Sequence, residues 1–261
     1  MKIEIYQVDA FTNDVFKGNP AAVCPLEKWL DDTILQAIAS ENNLSETAFF
    51  VKTEEGFHIR WFTPTSEVDL CGHATLASAF VIFNYVESNT NVIEFESLSG
   101  KLIVTKEKEL ISLNFPARRP KLINKTKQHE DLIDFEPSEI FFHTKTVFVL
   151  RNHEAVLRTK PNFSQIAKLN SDGLVITAKS TDSDIDFVSR YFAPHVGIPE
   201  DPVTGAAHTV LTPLWSEKIG KKRLVAKQIS KRGGKIYCED LGERVKLSGN
   251  AVLFLKGEIY L

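Results

Sequence analysis

The apolar and polar positions of the chain fall mostly into short alternating runs, with longer apolar stretches at two places. Alternation with a period of two predicts half-buried β-strands. Such runs include KIEIYQVDAF, TAFFVK, FHIRWF, LISLNF, GLVITA and AVLFLKGEIYL. The stretches TLASAFVIFNYV and TVLTPLWSEKIG are apolar on nearly every side of a helical projection, which is typical of helices buried on all sides. Pro213 is expected to kink the second one, and only residues 31–42 and 163–169 indicate further helices.

One five-residue motif occurs twice, and its copies lie half a chain length apart. Residues 60–64 read Arg-Trp-Phe-Thr-Pro, and residues 190–194 read Arg-Tyr-Phe-Ala-Pro. Each copy is followed by a short acidic segment and then by a glycine, Gly72 or Gly205, that opens one of the two apolar helices. Because the order of strand, acidic turn, glycine and helix is the same, the sequence predicts a duplicated domain.

Many strands and few helices argue against a doubly wound parallel sheet. The sequence instead predicts an α+β fold of two pseudo-symmetric halves, each a curved mixed β-sheet wrapped around a central helix. The N-terminal half is placed at residues 1–118, with its central helix near 72–86, and the strand at 251–261 is a candidate to complete it. The C-terminal half is placed at residues 119–250, with its central helix near 205–218.

The composition is that of a folded protein without a strong attraction for nucleic acids or membranes. Hydrophobic residues make up 43% of the 261 residues, 18 of which are Phe, and the formal net charge is −3. The Lys-rich stretch at residues 218–231 is interrupted by apolar residues, which is typical of a solvated face. The N-terminus lacks the pattern of a signal peptide, and no apolar run is long enough to span a bilayer. We therefore expect neither a nucleic-acid nor a membrane partner.

The cysteines and the known cofactor motifs bear on the compartment and the chemistry. Cys24, Cys71 and Cys238 are far apart and show no metal-ligand spacing, so a reducing cytoplasm is expected and structural disulfides and zinc are not. The chain has no glycine-rich dinucleotide or phosphate loop, no H-E-x-x-H and no G-x-S-x-G. These observations predict an activity without cofactor or metal.

Glu46 is the first candidate for acid/base chemistry. It stands in NLSETAFFV, directly before a run of apolar residues. An apolar setting disfavours the ionised form of a carboxyl group and raises its pKa toward neutrality, which suits a general acid/base. The alternative is that Ser45 and Glu46 form a surface turn and face water.

The two helix starts are candidates for substrate binding. At the first, Asp69, Cys71, Gly72 and His73 stand close together in sequence. A glycine there lets backbone N–H groups approach an anion, and His73 is placed to bond the substrate or pass a proton. The alternative is that Asp69 is an ordinary helix cap and that His73 is a core histidine without a chemical role.

The second helix start repeats the pattern. There, Asp201 is placed to act as a second acid or a positioning carboxylate, ahead of Gly205 and Ala206. Facing each other across a domain cleft, the two starts would form an anion pocket. Racemases that use two thiols need a second cysteine at this position, and residues 205–207 supply none, which excludes that mechanism for Cys71.

Several long motifs carry a resemblance that spans nearly the whole chain: VDAFTNDVFKGNPAAVC, NLSETAFFV, RWFTPTSEVDLCGHAT, SRYFAPHVGIPEDPVTGAAH and KRGGKIYCED. In these motifs the sequence resembles the PhzF-like, or phenazine biosynthesis-like, proteins, which are relatives of diaminopimelate epimerase. The resemblance implies a fold of two pseudo-symmetric halves with the site in the cleft between them, a homodimer, and no cofactor. The characterised phenazine enzyme isomerises a dihydro-hydroxyanthranilate by moving a proton on a conjugated ring.

The resemblance also implies roles for individual residues. Glu46 would shuttle the proton, His73 and Asp201 would orient the substrate, and the segments at Gly72 and Gly205 would hold its carboxylate. The chain departs from the family at Ala206, where many members carry a serine hydroxyl.

The resulting expectation is a cofactor-independent isomerase that transfers a proton on a small carboxylate. A first alternative is an epimerase or racemase of an amino or hydroxy acid, with Glu46 on one face and Asp201 or Cys71 on the other. A second alternative is a small-molecule-binding or scaffold protein without catalysis.

Overall fold

The computed structural model describes residues 1–261, and the chain divides into two compact units. The first unit consists of Met1–Asn114 together with Ser248–Leu261, and the second is the contiguous segment Phe115–Leu247. The predicted boundaries stood at residues 118/119 and 250/251. The first unit therefore receives its last strand from the far end of the chain.

The elements of the first unit are a series of strands with two helices. Before the boundary they are β1 (Lys2–Ala10), β2 (Asn19–Leu26), α1 (Asp32–Asn42), β3 (Glu46–Lys52), β4 (Phe57–Phe62), β5 (Glu67–Val68), α2 (Gly72–Val81), β6 (Val92–Glu96), β7 (Leu102–Glu107) and β8 (Leu110–Pro116), whose last two residues pass it.

The second unit repeats this composition of strands and helices. Its elements are β9 (Lys121–Ile123), β10 (Glu139–Phe142), β11 (Thr146–Val149), α3 (His153–Arg158), α4 (Phe163–Ile166), β12 (Leu174–Lys179), β13 (Phe187–Ala193), β14 (Ile198–Asp201), α5 (Gly205–Ile219), β15 (Arg223–Gln228), β16 (Gly234–Asp240) and β17 (Arg244–Gly249), whose end passes back into the first unit. The chain then forms β18 (Ala251–Tyr260), which pairs antiparallel with β1 of the first unit.

Strand pairing follows the same order in both units. In the first, β1 pairs antiparallel with β2, β2 parallel with β3, β3 antiparallel with β4, β4 parallel with β6, and β6 antiparallel with β7. In the second, β10, β11, β12, β13, β15 and β16 repeat that order of antiparallel and parallel pairs. Such a mixed sheet with few helices confirms the predicted α+β fold class, and the repeated order is the structural counterpart of the repeated sequence motif.

Each unit has one apolar helix in its interior, and each of these helices begins at the glycine that opens the apolar stretch. In α2 every residue from His73 to Ala79 is buried, and the helix packs on β1, β2 and β3. A π-helical turn, Ile82–Val86, continues it. In α5 ten of the fifteen residues are buried, and Pro213 lies inside the helix. Burial on all sides explains why neither stretch shows an amphipathic pattern.

The two Arg-aromatic-Phe motifs occupy equivalent strands and form equivalent contacts. Arg60 in β4 donates two hydrogen bonds of 2.7 Å to Glu67 in β5. Arg190 in β13 donates bonds of 2.7 and 3.0 Å to Glu200 in β14. The arginine that both copies of the motif share is therefore a bidentate link between two neighbouring strands.

The minor helices differ in part from the expectation. The helix predicted at residues 31–42 is α1, and the one predicted at 163–169 is the shorter α4. Helix α3 escaped prediction because six residues are too few to display a helical period. Its start does carry a signal, since the Asn152 side chain accepts a hydrogen bond from the N–H of Ala155. None of the helices combines the length and the hydropathy needed to cross a membrane.

Candidate active site

Glu46 is the first residue of β3, and its side chain is directed into the first unit. The parallel pairing of β2 with β3 places it opposite Ala21. Its side chain is only 12% exposed, so the alternative of a water-facing surface turn is wrong. A carboxyl group is thus held at the start of a buried strand, where desolvation acts on its charged form.

Asn19 begins the neighbouring strand β2 and is fully buried. Gly18, directly before it, has a φ of +63°, and a Cβ added there would lie 2.2 Å from the carbonyl oxygen of Ala10. Only glycine fits this turn without displacing the backbone. The turn therefore fixes the entry into β2 and with it the position of the Asn19 amide.

His73, in the first turn of α2, connects these elements. Its Nδ1 lies 3.2 Å from Nδ2 of Asn19 and 3.4 Å from Sγ of Cys71. An amide nitrogen only donates, so Nδ1 is the acceptor and the ring proton is on Nε2. Nε2 lies 3.2 Å from Oε2 of Glu46. That contact has the length of a hydrogen bond, but the N–H is not aligned with the oxygen.

Burial determines the charge of this ring. It lowers the pKa of His73 to about 3, so the imidazole is neutral at physiological pH. A neutral ring with its proton on Nε2 offers an N–H to Glu46 and supplies no positive charge. His73 is therefore a neutral core histidine whose N–H faces Glu46, and Glu46 is the member of the pair suited to accept a proton.

The start of α2 brings Cys71 into this cluster and leaves Asp69 out. Cys71 is the extended residue before the helix, and it is buried. Its side chain forms no capping hydrogen bond with the helix. Asp69 is exposed, and its carbonyl accepts a hydrogen bond from the Ser99 hydroxyl. Gly72 is half-buried at the first helical position.

Glu46, Cys71 and His73 also have the residue types of a metal site, and one atom from each lies within 4.8 Å of the others. The glutamate approaches Nε2 of the ring, whereas the thiol approaches Nδ1. A histidine normally coordinates a metal through one nitrogen and hydrogen-bonds through the other. The glutamate and the thiol therefore lie beside different nitrogens of the ring, rather than around one coordinating nitrogen.

The second unit positions Asp201 by a different set of contacts. Asp201 ends β14 and is buried, and its Oδ2 accepts a hydrogen bond from the hydroxyl of Thr204, the residue before α5. Gln228, at the end of β15, donates from Nε2 to the Asp201 carbonyl (2.8 Å) and to the Thr204 hydroxyl (3.2 Å). Its Oε1 accepts from the Thr204 N–H at 2.9 Å. The carboxylate is therefore the final acceptor of a directed series of bonds.

The first residues of α5 differ in their burial, which the sequence did not indicate. Gly205 is buried, while Ala206 is exposed. His208, one turn along, is fully buried, and its Nδ1 lies 2.7 Å from the Thr204 carbonyl, to which it donates. Burial lowers the pKa of His208 to about 4, so this ring is also neutral.

Sequence reasoning missed three side chains that position the candidates: Asn19, Thr204 and Gln228. Thr204 has the signal of a residue preceding a helix, and Asn19 follows a glycine turn, but neither signal specifies a partner. Gln228 lies 24 residues from Thr204 and has no local signal at all. Their contacts depend on which strands are neighbours.

Comparison with known proteins agrees with this picture. Residues 8–257 match the family described as phenazine biosynthesis-like protein. A protein of Pseudomonas aeruginosa named as an uncharacterized isomerase is 44% identical over 261 residues, and the alignment covers all of both chains.

Solved structures extend the likeness to the fold. A crystal structure of a PhzF-family phenazine biosynthesis protein from Enterococcus faecalis is 46% identical, covers all of both chains and superposes with a TM-score of 0.97. A predicted epimerase from Pseudomonas aeruginosa, 19% identical and covering 99% of each chain, has a TM-score of 0.71 and shares the fold. The resemblance noted in the sequence is confirmed, as is its relation to epimerase folds.

Proposed function

The chain belongs to the phenazine biosynthesis-like protein family, and we propose that it is an isomerase that transfers a proton on a small carboxylate, with Glu46 as the acid/base. The observation that carries this proposal is the pairing of Glu46 with a neutral His73 at 3.2 Å. A buried carboxylate beside an uncharged N–H donor is set up to take a proton and to give it back.

In the proposed step, Glu46 removes a proton from a carbon that is conjugated with, or alpha to, the substrate carboxylate. The C–H bond breaks, and its electron pair moves into the conjugated system toward the carboxylate oxygens. Glu46, now protonated, returns the proton to a second carbon of the same system. No atom is gained or lost, so the product is a positional isomer of the substrate.

His73 controls the orientation of the base in this step. With Asn19 and Cys71 on Nδ1, the ring presents the Nε2 proton toward Glu46. When the carboxylate rotates into line, this N–H becomes a charge-assisted hydrogen bond that favours the ionised form and directs one oxygen to the substrate.

In the second unit, Asp201 is proposed to orient the substrate by accepting hydrogen bonds from its amino or hydroxyl group. The helix starts at Gly72 and Gly205 are proposed to bind the carboxylate through backbone N–H groups. Ala206 provides no hydroxyl group there, so a substrate that needs this additional donor is disfavoured. We accordingly propose a substrate similar to, and not necessarily the same as, dihydro-hydroxyanthranilate.

Solvent deuterium incorporation tests the proposal directly. The purified protein is incubated in D₂O with a panel of small carboxylic acids that includes dihydro-hydroxyanthranilate, and the label is followed by mass spectrometry. The wild type should incorporate deuterium, and Glu46→Gln should be slower by about a hundred- to ten-thousand-fold. Glu41→Gln, on the exposed face of α1, is the matched control and should behave as the wild type.

Thermal denaturation of both variants separates lost chemistry from lost structure. Label that persists in a folded Glu46→Gln protein would overturn the assignment of Glu46. Ligand-induced stabilisation without label from any compound would favour the binding-protein alternative.

An epimerase of an amino or hydroxy acid is the second candidate, since Cys71 lies in the same cluster. It would use Glu46 on one face of the substrate and Asp201 or Cys71 on the other. Chiral chromatography of the labelled product distinguishes the two reactions. An isomerase gives label at a new carbon, whereas an epimerase gives label at an inverted centre.

We further propose that the protein works as a homodimer in a reducing cytoplasm. Its three cysteines are buried and form no disulfide, which is compatible with such a compartment. Phe16 and Phe254 form an exposed aromatic pair, with ring centres 5.6 Å apart, beside the exposed Leu255. Sedimentation velocity should show a dimer, and Phe254→Asp should weaken it if this patch is the contact surface.

A further inference from the structure

Lys145 is a buried charged residue in the second unit that the proposed reaction does not use. It lies in the turn between β10 and β11, and its side chain is only 5% exposed. Burying an ammonium group costs free energy unless other groups compensate for the lost hydration. An apolar residue would fill the same space at no such cost, so the position calls for an explanation.

The carboxylate nearest to Lys145 compensates poorly for this burial. Asp172 approaches Nζ at 3.5 Å, but its own side chain is 58% exposed. The ring centre of Tyr191 lies 5.5 Å from Nζ, which adds a cation–π contact. Burial still lowers the pKa of Lys145, and the nearby Arg118 lowers it further.

A second carboxylate, that of Asp201, also acts on Lys145. Asp172 and Asp201 both raise the pKa of the lysine, against burial and Arg118. Strand pairing explains this influence, because Asp201 in β14 is the register partner of Tyr191 in β13, over whose ring the ammonium lies. Coulombic attraction is mutual, so the ammonium in turn favours the ionised form of the Asp201 carboxylate.

We propose that Lys145 is a positioning residue that holds the Asp201 carboxylate in its ionised form, ready to accept a hydrogen bond from the substrate. The inference rests on the proposed function, since that function assigns the orienting role to Asp201. Asp172, Arg118, Tyr191 and Asp201 are the titratable groups that face the ammonium.

The contacts of Asp201 support this assignment independently of the lysine. The Gln228 amide donates to the Thr204 hydroxyl, which in turn donates to Asp201. Because the hydroxyl proton points at the carboxylate, that oxygen is an acceptor and carries no proton of its own. Tyr191 does not compete as an acid, since burial and the two aspartates raise its pKa, and its hydroxyl donates to the Asp172 carbonyl.

The test measures the titration of Asp201 in the whole chain, without reference to turnover. Aspartate carboxyl carbons are labelled with ¹³C, the Asp201 signal is assigned with Asp201→Asn, and its midpoint is followed by NMR. Lys145→Met should raise the midpoint by about one pH unit. Lys145→Arg should restore it, because a guanidinium keeps the charge. Lys179→Met, at an exposed position of β12, is the matched control.

Asp172→Asn tests whether a shift of the Asp201 midpoint comes from disturbed packing rather than from the lost lysine charge. It keeps the ammonium and removes the carboxylate beside it, so the Asp201 midpoint should not rise. If Asp172→Asn raises it as much as Lys145→Met, or if a folded Lys145→Met leaves it unchanged, the inference is overturned. Lys145→Gln provides a second neutral variant should the methionine variant fail to fold.

Deuterium exchange then connects the lysine to the reaction. The acidic limb of the pH–rate profile should move to higher pH in Lys145→Met, by the same shift as the Asp201 midpoint measured by NMR. In Lys145→Arg it should lie at the wild-type pH. An unmoved limb would contradict the positioning role. The two proposals fail separately: full exchange by Glu46→Gln would overturn the proposed function and leave the NMR coupling standing, whereas an unshifted Asp201 would overturn only the role of Lys145.

Discussion

The side-chain nitrogen of Asn19 lies 3.2 Å from Nδ1 of His73, and both residues are buried. The NH2 group of the amide can only donate, so this contact prevents the ring from carrying a proton on the nitrogen that faces Asn19. One asparagine at the start of a strand thereby determines which nitrogen of the histidine faces Glu46 with a proton.

This relationship predicts the effect of Asn19→Asp. A carboxylate in place of the amide accepts a hydrogen bond and adds a negative charge, so it should raise the pKa of His73 from about 3. The ring should then be cationic or carry its proton on Nδ1, and deuterium exchange should fall about tenfold or more. ¹⁵N NMR of the imidazole nitrogens reports both changes. Asn19→Gln is the control, and an unchanged tautomer in Asn19→Asp would show that other contacts fix the ring.

The two neutral histidines predict a loss of stability in mild acid. Burial lowers the pKa of His73 to about 3 and of His208 to about 4, whereas histidines of the unfolded chain titrate near 6.5. Below about pH 6.5 these histidines therefore bind protons in the unfolded chain but not in the folded chain. The free energy of unfolding should fall as the pH drops from about 6.5 toward 4, with a slope approaching about 2.7 kcal/mol per pH unit from these two groups.

Urea denaturation at a series of pH values measures that slope. His208→Gln removes one of the two groups, so the slope that the buried histidines contribute should fall to about 1.4 kcal/mol per pH unit. This holds even if the substitution lowers the free energy of unfolding at pH 7. Equal slopes for the wild type and His208→Gln would mean that His208 is protonated in the folded protein.

The arginine links between strands predict a contribution to stability without one to chemistry. Arg60→Lys loses the two-bonded geometry with Glu67, and we expect a loss of about 1–2 kcal/mol in the free energy of unfolding with normal deuterium exchange. Lys2→Met, which breaks an exposed pair with Glu258, is the contrast and should change stability by less than about 1 kcal/mol. An equal effect of both variants would show that the bidentate geometry adds nothing.

The sequence predicted those features that depend on one segment at a time. Burial on all sides is visible in the composition of α2 and α5, and the repeat motif indicated two similar units. Glu46 stood out because a carboxylate directly precedes an apolar strand. In each instance the signal and the feature lie within a few residues of each other.

What the sequence could not predict depends on strand register and on distant partners. Asn19 reaches His73 across 54 positions of the chain, because β2 and β3 both pack on α2. Gln228 bonds the residues before α5 only because β15 ends beside them. Lys145 is charged and stands in a turn, which is typical of an exposed residue, and only the fold shows that it is buried.

The pairing of β18 with β1 has a consequence for how the chain is synthesised. The second unit, Phe115–Leu247, is contiguous and is complete before β18 leaves the ribosome. The first unit begins earlier but waits for residues 251–260, since Lys2 pairs with Tyr260 and Ala10 with Ala251. At about 5–20 residues per second, β1 lacks this neighbour for on the order of tens of seconds. Strand β1 is thus made long before the strand that covers its edge, and during translation that open edge is exposed to mispairing with other chains.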